Sequence, residues 1–202
     1  MDKFRIGIFG GSFSPPHLGH KKAAEVFSSQ MKLDKLLIMP AFIPPHKQLA
    51  ESASVDDRME MCKVAFADVE KAEVSDIEIR RQGTSYTYLT LQELKNDSNE
   101  LFLLVGTDML LTLDKWKNCE QIFSLCTVCY VRRENDPDIT ENILNQITRY
   151  RAKFNANIIP IACDAIEISS TELRNKIASG KDVTHLIDPE VVSFISERGL
   201  YL

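Results

Sequence analysis

The densest chemistry in the chain lies near its start, in Gly7-Ile8-Phe9-Gly10-Gly11-Ser12-Phe13-Ser14-Pro15-Pro16-His17-Leu18-Gly19-His20. Phe4 to Phe9 reads as a buried strand, so Gly10 and Gly11 fall between a strand and the start of a helix. That junction suits phosphate, because glycine admits close approach of the backbone and the unpaired N–H groups of the first helical turn point at an anion. Ser14 is placed to cap the helix, with Pro15 and Pro16 in its first turn. His17 and His20, at i and i+3, then share one helical face beside the anion-binding end and can donate to phosphate oxygens. A helical zinc pair would sit at i, i+4 and need a third ligand. Gly7, Gly10 and Gly11 do not fit G-x-G-x-x-G, and no G-x-x-x-x-G-K-[ST] loop is present. The loop is read as a different phosphate-binding scheme; the bland alternative is a surface helix with two incidental histidines.

A second cluster lies far along the chain, in Ile168-Ser169-Ser170-Thr171-Glu172-Leu173-Arg174. Ser169 and Glu172 have capping-box spacing, which predicts a helix starting at Ser170. Ser170 and Arg174 are then i, i+4 on one face, and a hydroxyl, free N–H groups and a guanidinium converge where a phosphate fits. Alone, the segment reads as an ordinary capped surface helix. Smaller candidates are Pro44-Pro45-His46-Lys47, Ser85-Tyr86-Thr87, Gly106-Thr107-Asp108, the single tryptophan Trp116, and Arg132-Arg133-Glu134. Asp108 is alternatively a helix N-cap. Cys126 and Cys129 form a lone CxxC inside the apolar run Leu125 to Val131, with no second pair to complete a metal site. On a strand the two point to opposite faces, so they read as buried thiols in a core.

The elements that must position these groups alternate. Strands are expected at Phe4–Phe9, Leu36–Met39, Val74–Ile79, Leu101–Val105, Leu125–Val131 and Ile158–Ile161. Helices are expected at Leu18–Met31, from an Asp56 or Asp57 cap to about Asp68, and over Tyr88–Lys95, Met109–Leu113 and Thr140–Phe154. Two more run from Ser170 to near Gly180 and over Pro189–Glu197, with Gly199 just past the last. Inward faces are read as Leu18, Ala23 or Ala24, Phe27 and Met31; as Met59, Cys62 and Phe66; and as Ile143, Ile147 and Tyr150. The pattern implies an α/β fold: an open, mostly parallel sheet with helices on both faces, in a single domain spanning 1–202. The segments with unusual chemistry mostly follow strands. Ligands in such sheets bind outside the carboxyl ends of the strands, so these segments are expected to face one crevice.

The totals bound the function classes. The chain has 202 residues, 44% hydrophobic and 26% charged, with net charge −5. The acidic balance argues against an electrostatic grip on nucleic acid or an anionic membrane. Met1-Asp2-Lys3-Phe4 does not read as a signal-peptide pattern, and no apolar run is long enough for a membrane span to be expected. Five cysteines, an odd number, fit reduced thiols and a cytoplasmic location. Oligomeric state is open, a homo-oligomer included.

Two signatures together carry a resemblance. Gly11-Ser12-Phe13-Ser14-Pro15-Pro16-His17-Leu18-Gly19-His20 matches G-x-F-x-x-x-H-x-x-H, and Ile168 to Arg174 matches I-S-S-T-x-x-R, both of the nucleotidyltransferase superfamily. With the smaller segments and the terminal Gly199-Leu200-Tyr201, nearly the whole chain resembles the bacterial nicotinate-nucleotide adenylyltransferases. Phosphopantetheine and glycerol-3-phosphate relatives share the first signature but look different and are usually shorter. The resemblance implies a Rossmann-like fold and transfer of AMP from ATP to nicotinate mononucleotide, giving deamido-NAD and pyrophosphate. It implies that the Gly10, Gly11, Ser12 and Phe13 backbone approaches the phosphates and that His17 and His20 donate to the α- and β-phosphates. Ser169, Ser170 and Arg174 would hold the leaving pyrophosphate, Ile168 would line the ATP site with them, and Gly106 and Asp108 would meet the adenosine. Trp116 would stack on the pyridine ring, Ser85 and Thr87 would meet the nicotinate carboxylate, and His46, Lys47 and Arg133 the mononucleotide phosphate. Magnesium would ride on ATP rather than on a protein site. The alternatives are a nicotinamide mononucleotide enzyme, a nucleotide-binding regulator without turnover, and a hydride-transferring enzyme whose glycine pattern is missing.

Overall fold

The computed structural model describes residues 3–45, 53–132, 137–163 and 168–202. Six parallel strands form one sheet in the order β3-β2-β1-β4-β5-β6. In chain order they are β1 (Phe4–Gly11), β2 (Lys35–Pro40), β3 (Ala72–Val74), β4 (Asn99–Gly106), β5 (Cys126–Val131) and β6 (Ile158–Ile161). The helices are α1 (Leu18–Gln30), α2 (Val55–Ala65), α3 (Ile77–Arg81), α4 (Thr87–Leu94), α5 (Thr107–Leu110), α6 (Cys119–Leu125), α7 (Pro137–Phe154), α8 (Ser170–Ala178) and α9 (Pro189–Arg198). A short 3-10 turn covers Leu113–Lys115.

The expected open parallel sheet, covered on both faces, is what forms. Alternate strand residues divide between two cores. On one side Phe9, Leu36, Ile38, Phe102, Leu104, Cys129 and Val131 pack with α1, α2, α8 and α9. On the other, Ile8, Leu37, Leu101, Leu103, Cys126 and Val128 pack with α4, α6 and α7. Cys126 and Cys129 therefore lie on opposite faces. Burial pushes the Cys129 thiol up to about 12 and raises Cys126 as well, as inert packing groups require.

β1 and β4 are neighbours at the centre, and the chain leaves them for opposite sides of the sheet. The loops at their carboxyl ends diverge there and open a crevice. Close packing beneath it depends on Gly7. A Cβ there would sit 2.3 Å from Leu33 Cδ1 and 2.8 Å from Phe27 Cε1. Gly7→Ala is expected to cost about 1–3 kcal/mol through overpacking, read as a lower midpoint in urea with unchanged slope.

Several local expectations give way. Val74–Ile79 is not one strand: β3 ends at Val74, Ser75 N donates its last ladder bond to Ile38 O (2.8 Å), and the chain turns into α3. α2 is capped by Ser54, with Asp57 as its N3 partner, and ends at Ala65 rather than near Asp68. The helix placed at Met109–Leu113 is α5 followed by the 3-10 turn, and α6 escaped the sequence reading. Of the inward faces, Ala23, Ala24, Phe27, Met31, Cys62, Phe66, Ile143, Ile147 and Tyr150 are buried. Leu18 is exposed and Met59 half-buried.

Candidate active site

The crevice is a cleft of about 450 Å³ beyond the ends of β1 and β4. Gly10, Gly11, Ser12 and Phe13 form its floor, and His17 and His20 stand beside them. Phe13 adopts φ 46°, a left-handed conformation costly for a bulky residue. Its ring is held edge-on against Phe9, His20 and Phe66, at centroid distances of 5.4, 5.1 and 5.7 Å. The anchored ring turns the chain so that side chain enters the core while backbone faces the cleft. A Cβ on Gly10 would meet only Met39 O, at 4.0 Å. The protein thus leaves space over Gly10 on the cleft side.

The cap of α1 is not Ser14 but His17. His20 N donates to His17 Nδ1 (3.2 Å), and His17 N donates to His20 Nδ1 (3.3 Å), a reciprocal capping box made of two histidines. Pro15 and Pro16 precede the helix. Because each Nδ1 accepts a backbone N–H, each neutral imidazole carries its hydrogen on Nε2. The rings stack at 3.6 Å, which holds both in one orientation at the helix N-terminus. Ser14 acts otherwise: its hydroxyl shares a 3.0 Å hydrogen bond with Tyr201, whose phenol burial pushes up to about 12.

The second signature closes on the first. Ser170 Oγ donates to Pro15 O (3.0 Å) and Arg174 Nη1 to Ser14 O (2.8 Å). Arg174 Nη2 reaches Thr171 Oγ1 at 3.2 Å. Leu173, 1% exposed, anchors α8 in the core between these contacts. The expected Ser169–Glu172 capping box does not form: Ser169 is the N-cap without a side-chain bond, and Glu172 pairs with Lys176 at 2.8 Å. Ser169, Ser170 and Arg174 nonetheless line the cleft with Ile168 and Thr171.

The remaining walls follow β4 and β2. Gly106 caps α5, so Asp108 lies inside that helix and is not its N-cap. Its exposed carboxylate faces the cleft without a protein hydrogen bond among the described residues. Tyr150, wholly buried on α7, braces this segment: its hydroxyl donates to Leu110 O (2.9 Å) and accepts from Asp114 N (3.1 Å). The segment ends in Trp116, half-buried and also in the cleft wall. Ser85 and Thr87 complete that side with Pro44 and Pro45. His46, Lys47 and Arg133 lie outside the described residues.

One wall residue escaped the sequence reading. Glu78, 7% exposed, lines the cleft near Ser85 and Thr87. Thr90 Oγ1 donates to it at 2.8 Å, and Arg81 stands 3.8 Å away. Burial raises its carboxyl above the ordinary value, opposed by the hydrogen bond from Thr90 and by the Arg81 charge. A glutamate seven residues before Ser85 was a signal only once Val74–Ile79 stopped being a strand.

The arrangement can hold a polyanion between two helix N-termini, with imidazole, hydroxyl and guanidinium donors around it. An aromatic slot lies alongside. Among the described residues no group of three or more His, Cys, Asp or Glu is placed to hold a metal ion.

Comparison with known proteins agrees with this chemistry. Residues 8–176 match the cytidylyltransferase-like family model. A Fusobacterium nucleatum protein named "Probable nicotinate-nucleotide adenylyltransferase" is 37% identical over 197 residues, spanning 96% of this chain and 98% of that protein. A Synechococcus protein of the same name is 38% identical over 200 residues, spanning 98% and 95%. The fold matches a solved Plasmodium falciparum nicotinic acid mononucleotide adenylyltransferase complexed with NaAD at TM-score 0.75 and 19% identity, covering 98% of this chain and 97% of that one.

Proposed function

Since the chain belongs to the nicotinate-nucleotide adenylyltransferase family, we propose that it transfers AMP from ATP to nicotinate mononucleotide. The observation that carries the reading is the direct contact of the two signatures. Arg174 and Ser170, from α8, bond the carbonyls of Ser14 and Pro15 beside the stacked histidines, so one polyanion can touch both.

A phosphate oxygen of the mononucleotide, already anionic near neutral pH, attacks the α-phosphorus of ATP in line. The new P–O bond forms as the bond from the α-phosphorus to the bridging oxygen breaks, and pyrophosphate leaves with that electron pair. No side-chain nucleophile is needed, so positioning and charge stabilisation supply the catalysis. His17 and His20 donate through Nε2 to the α- and β-phosphates. The backbone from Gly10 to Phe13 lies against them, Ser169, Ser170 and Arg174 hold the departing pyrophosphate, and Ile168 lines the ATP site beside them. Asp108 accepts from a ribose hydroxyl beside Gly106. Trp116 stacks on the pyridine ring, Ser85 and Thr87 meet its carboxylate, and His46, Lys47 and Arg133 meet the mononucleotide phosphate. Magnesium enters with ATP and screens the triphosphate charge. The reaction is assigned to the cytoplasm, a location supported by five free thiols. No helix among the described residues is long and apolar enough to cross a membrane.

The test pairs two acceptors. Purified protein with MgATP should release pyrophosphate with nicotinate mononucleotide, and kcat/KM should exceed that for the amide by about 10–100-fold, the worth of one charge-assisted hydrogen bond. A folded protein that releases none overturns the transfer reaction. A ratio at or below unity reassigns the acceptor to the amide.

A further inference from the structure

Gly199-Leu200-Tyr201 belongs to the chain's resemblance to the adenylyltransferases, yet none of the three lines the cleft. Gly199 closes α9 and turns the chain back, and Leu200 N donates to Ile195 O at 3.0 Å. Leu200 and Tyr201, 6% and 4% exposed, then enter the core that also holds Phe13 and Leu173. Arg198 clamps this end of α9 to Asp57 on α2 at 2.8 Å. Tyr201 is held at φ 64°, a left-handed conformation costly for an aromatic residue. The contacts on either side of it fix the phenol against the loop that precedes His17.

The Tyr201 hydroxyl meets Ser14 Oγ at 3.0 Å, with both residues buried. Ser14 lines the cleft, and its carbonyl accepts from Arg174 Nη1 at 2.8 Å. Tyr201 and Arg174 therefore grip the same residue, one by its side chain and the other by its backbone. Two features separate this grip from ordinary packing. The core asks only for the ring; phenylalanine would fill the same space without a buried hydroxyl that needs a partner. The loop is also held on both sides of Phe13, itself at φ 46°. On one side Arg58 of α2, 0% exposed, donates from Nη1 to Ser12 O at 3.0 Å, and on the other Tyr201 takes Ser14. A strained conformation persists only where its surroundings over-determine it in this way.

Resting on the adenylyl-transfer reading, we infer that Tyr201 is a positioning residue for that reaction: it fixes Ser14, and through the Ser14 carbonyl it aims Arg174 at the departing pyrophosphate. Loss of the hydroxyl frees the Ser14 peptide, and the guanidinium keeps its charge while losing its aim.

Tyr201→Phe removes one oxygen and tests this in both directions of the reaction. Forward kcat should fall about three- to tenfold, the worth of one hydrogen bond. The KM for pyrophosphate in the reverse reaction should rise by a similar factor, while the KM for nicotinate mononucleotide stays at wild type. In an Arg174→Ala background the same substitution should lower kcat by less than about twofold, since the group it acts through is gone. Val191→Ala opens the core under α9 without touching the bond. It should lower the melting temperature at least as far as Tyr201→Phe and leave kcat and the pyrophosphate KM at wild-type values. Should Tyr201→Phe fail to fold, Ser14→Ala, alone and with Arg174→Ala, reads the same bond from its other end. Folded Tyr201→Phe with wild-type kcat and pyrophosphate KM, or with its full loss repeated in the Arg174→Ala background, overturns the inference. Wild-type protein that releases no pyrophosphate from MgATP and nicotinate mononucleotide overturns the underlying reading instead.

Discussion

Replacing His17 by alanine is expected to lower kcat for adenylyl transfer by about two to three orders of magnitude, the usual cost of one preorganised donor to developing charge. The same substitution removes a helix cap. His17 Nδ1 accepts the His20 amide, and the reciprocal bond from His17 N to His20 Nδ1 depends on that geometry. About 1 kcal/mol of stability goes with the cap, which in a chain of 202 residues lowers the melting temperature by roughly 2–4 °C. Two further variants separate the effects. Asparagine is a preferred N-cap, and glutamine is the usual N3 partner of a capping box. His17→Asn and His20→Gln should therefore keep the melting temperature close to wild type while losing the imidazole donor. Their turnover should stay near that of the alanine variants. If His17→Asn recovers activity along with stability, the histidine is a cap and not a phosphate donor. The stacked rings at 3.6 Å also predict that neither single variant leaves the other ring correctly aimed. The double variant should then fall short of the product of the two losses.

Why these roles were read unevenly from the sequence has a physical answer. Leu101–Val105 announced a central strand because burial on both faces demands a continuous apolar run, and β4 forms there. Placing His17 and His20 on one helix needed only their spacing. Identifying the cap failed because serine is the ordinary choice and histidine is not. Ser14 is instead consumed by Tyr201, a partner 187 residues away that no local rule reveals. Glu172 has the right spacing for a capping box, but Lys176 competes for it one turn on. α6 was missed because its seven residues, Glu120, Gln121 and Ser124 among them, make only two turns with no side-chain cap and run directly into β5. Glu78 stayed hidden for a related reason, since the alternation around it imitates a strand until the Ser75 turn breaks it. Arg58 is the limiting case. An arginine on a helix reads as solvated, and only tertiary packing over α2 makes it a buried cation.

Arg174 should show the second large effect. Its guanidinium spends Nη1 on Ser14 O and Nη2 on Thr171 Oγ1, and the fork still has N–H donors left for a phosphate. The residue thus does two things that a point charge cannot do together: it fastens α8 to the histidine loop and offers donors to the anion between them. Arg174→Ala is expected to lower kcat by about 10²–10³-fold, as loss of a charge-stabilising clamp does. The KM for nicotinate mononucleotide should change little, because Trp116, Ser85 and Thr87 lie on another wall. Stability should drop only slightly, since the side chain is half-buried and Leu173 still anchors the helix. Lysine keeps the charge but lacks the planar fork that bonds Ser14 O and Thr171 Oγ1 from separate nitrogens while presenting further N–H groups to a phosphate, so Arg174→Lys should recover less than about tenfold of the loss. The reverse reaction sharpens the assignment. A residue that holds the leaving group must also receive it, so Arg174→Ala should raise the KM for pyrophosphate in the synthesis of ATP from deamido-NAD. A KM for pyrophosphate equal to wild type, with the forward rate still reduced, would take Arg174 off the leaving group and leave it only the task of fastening α8.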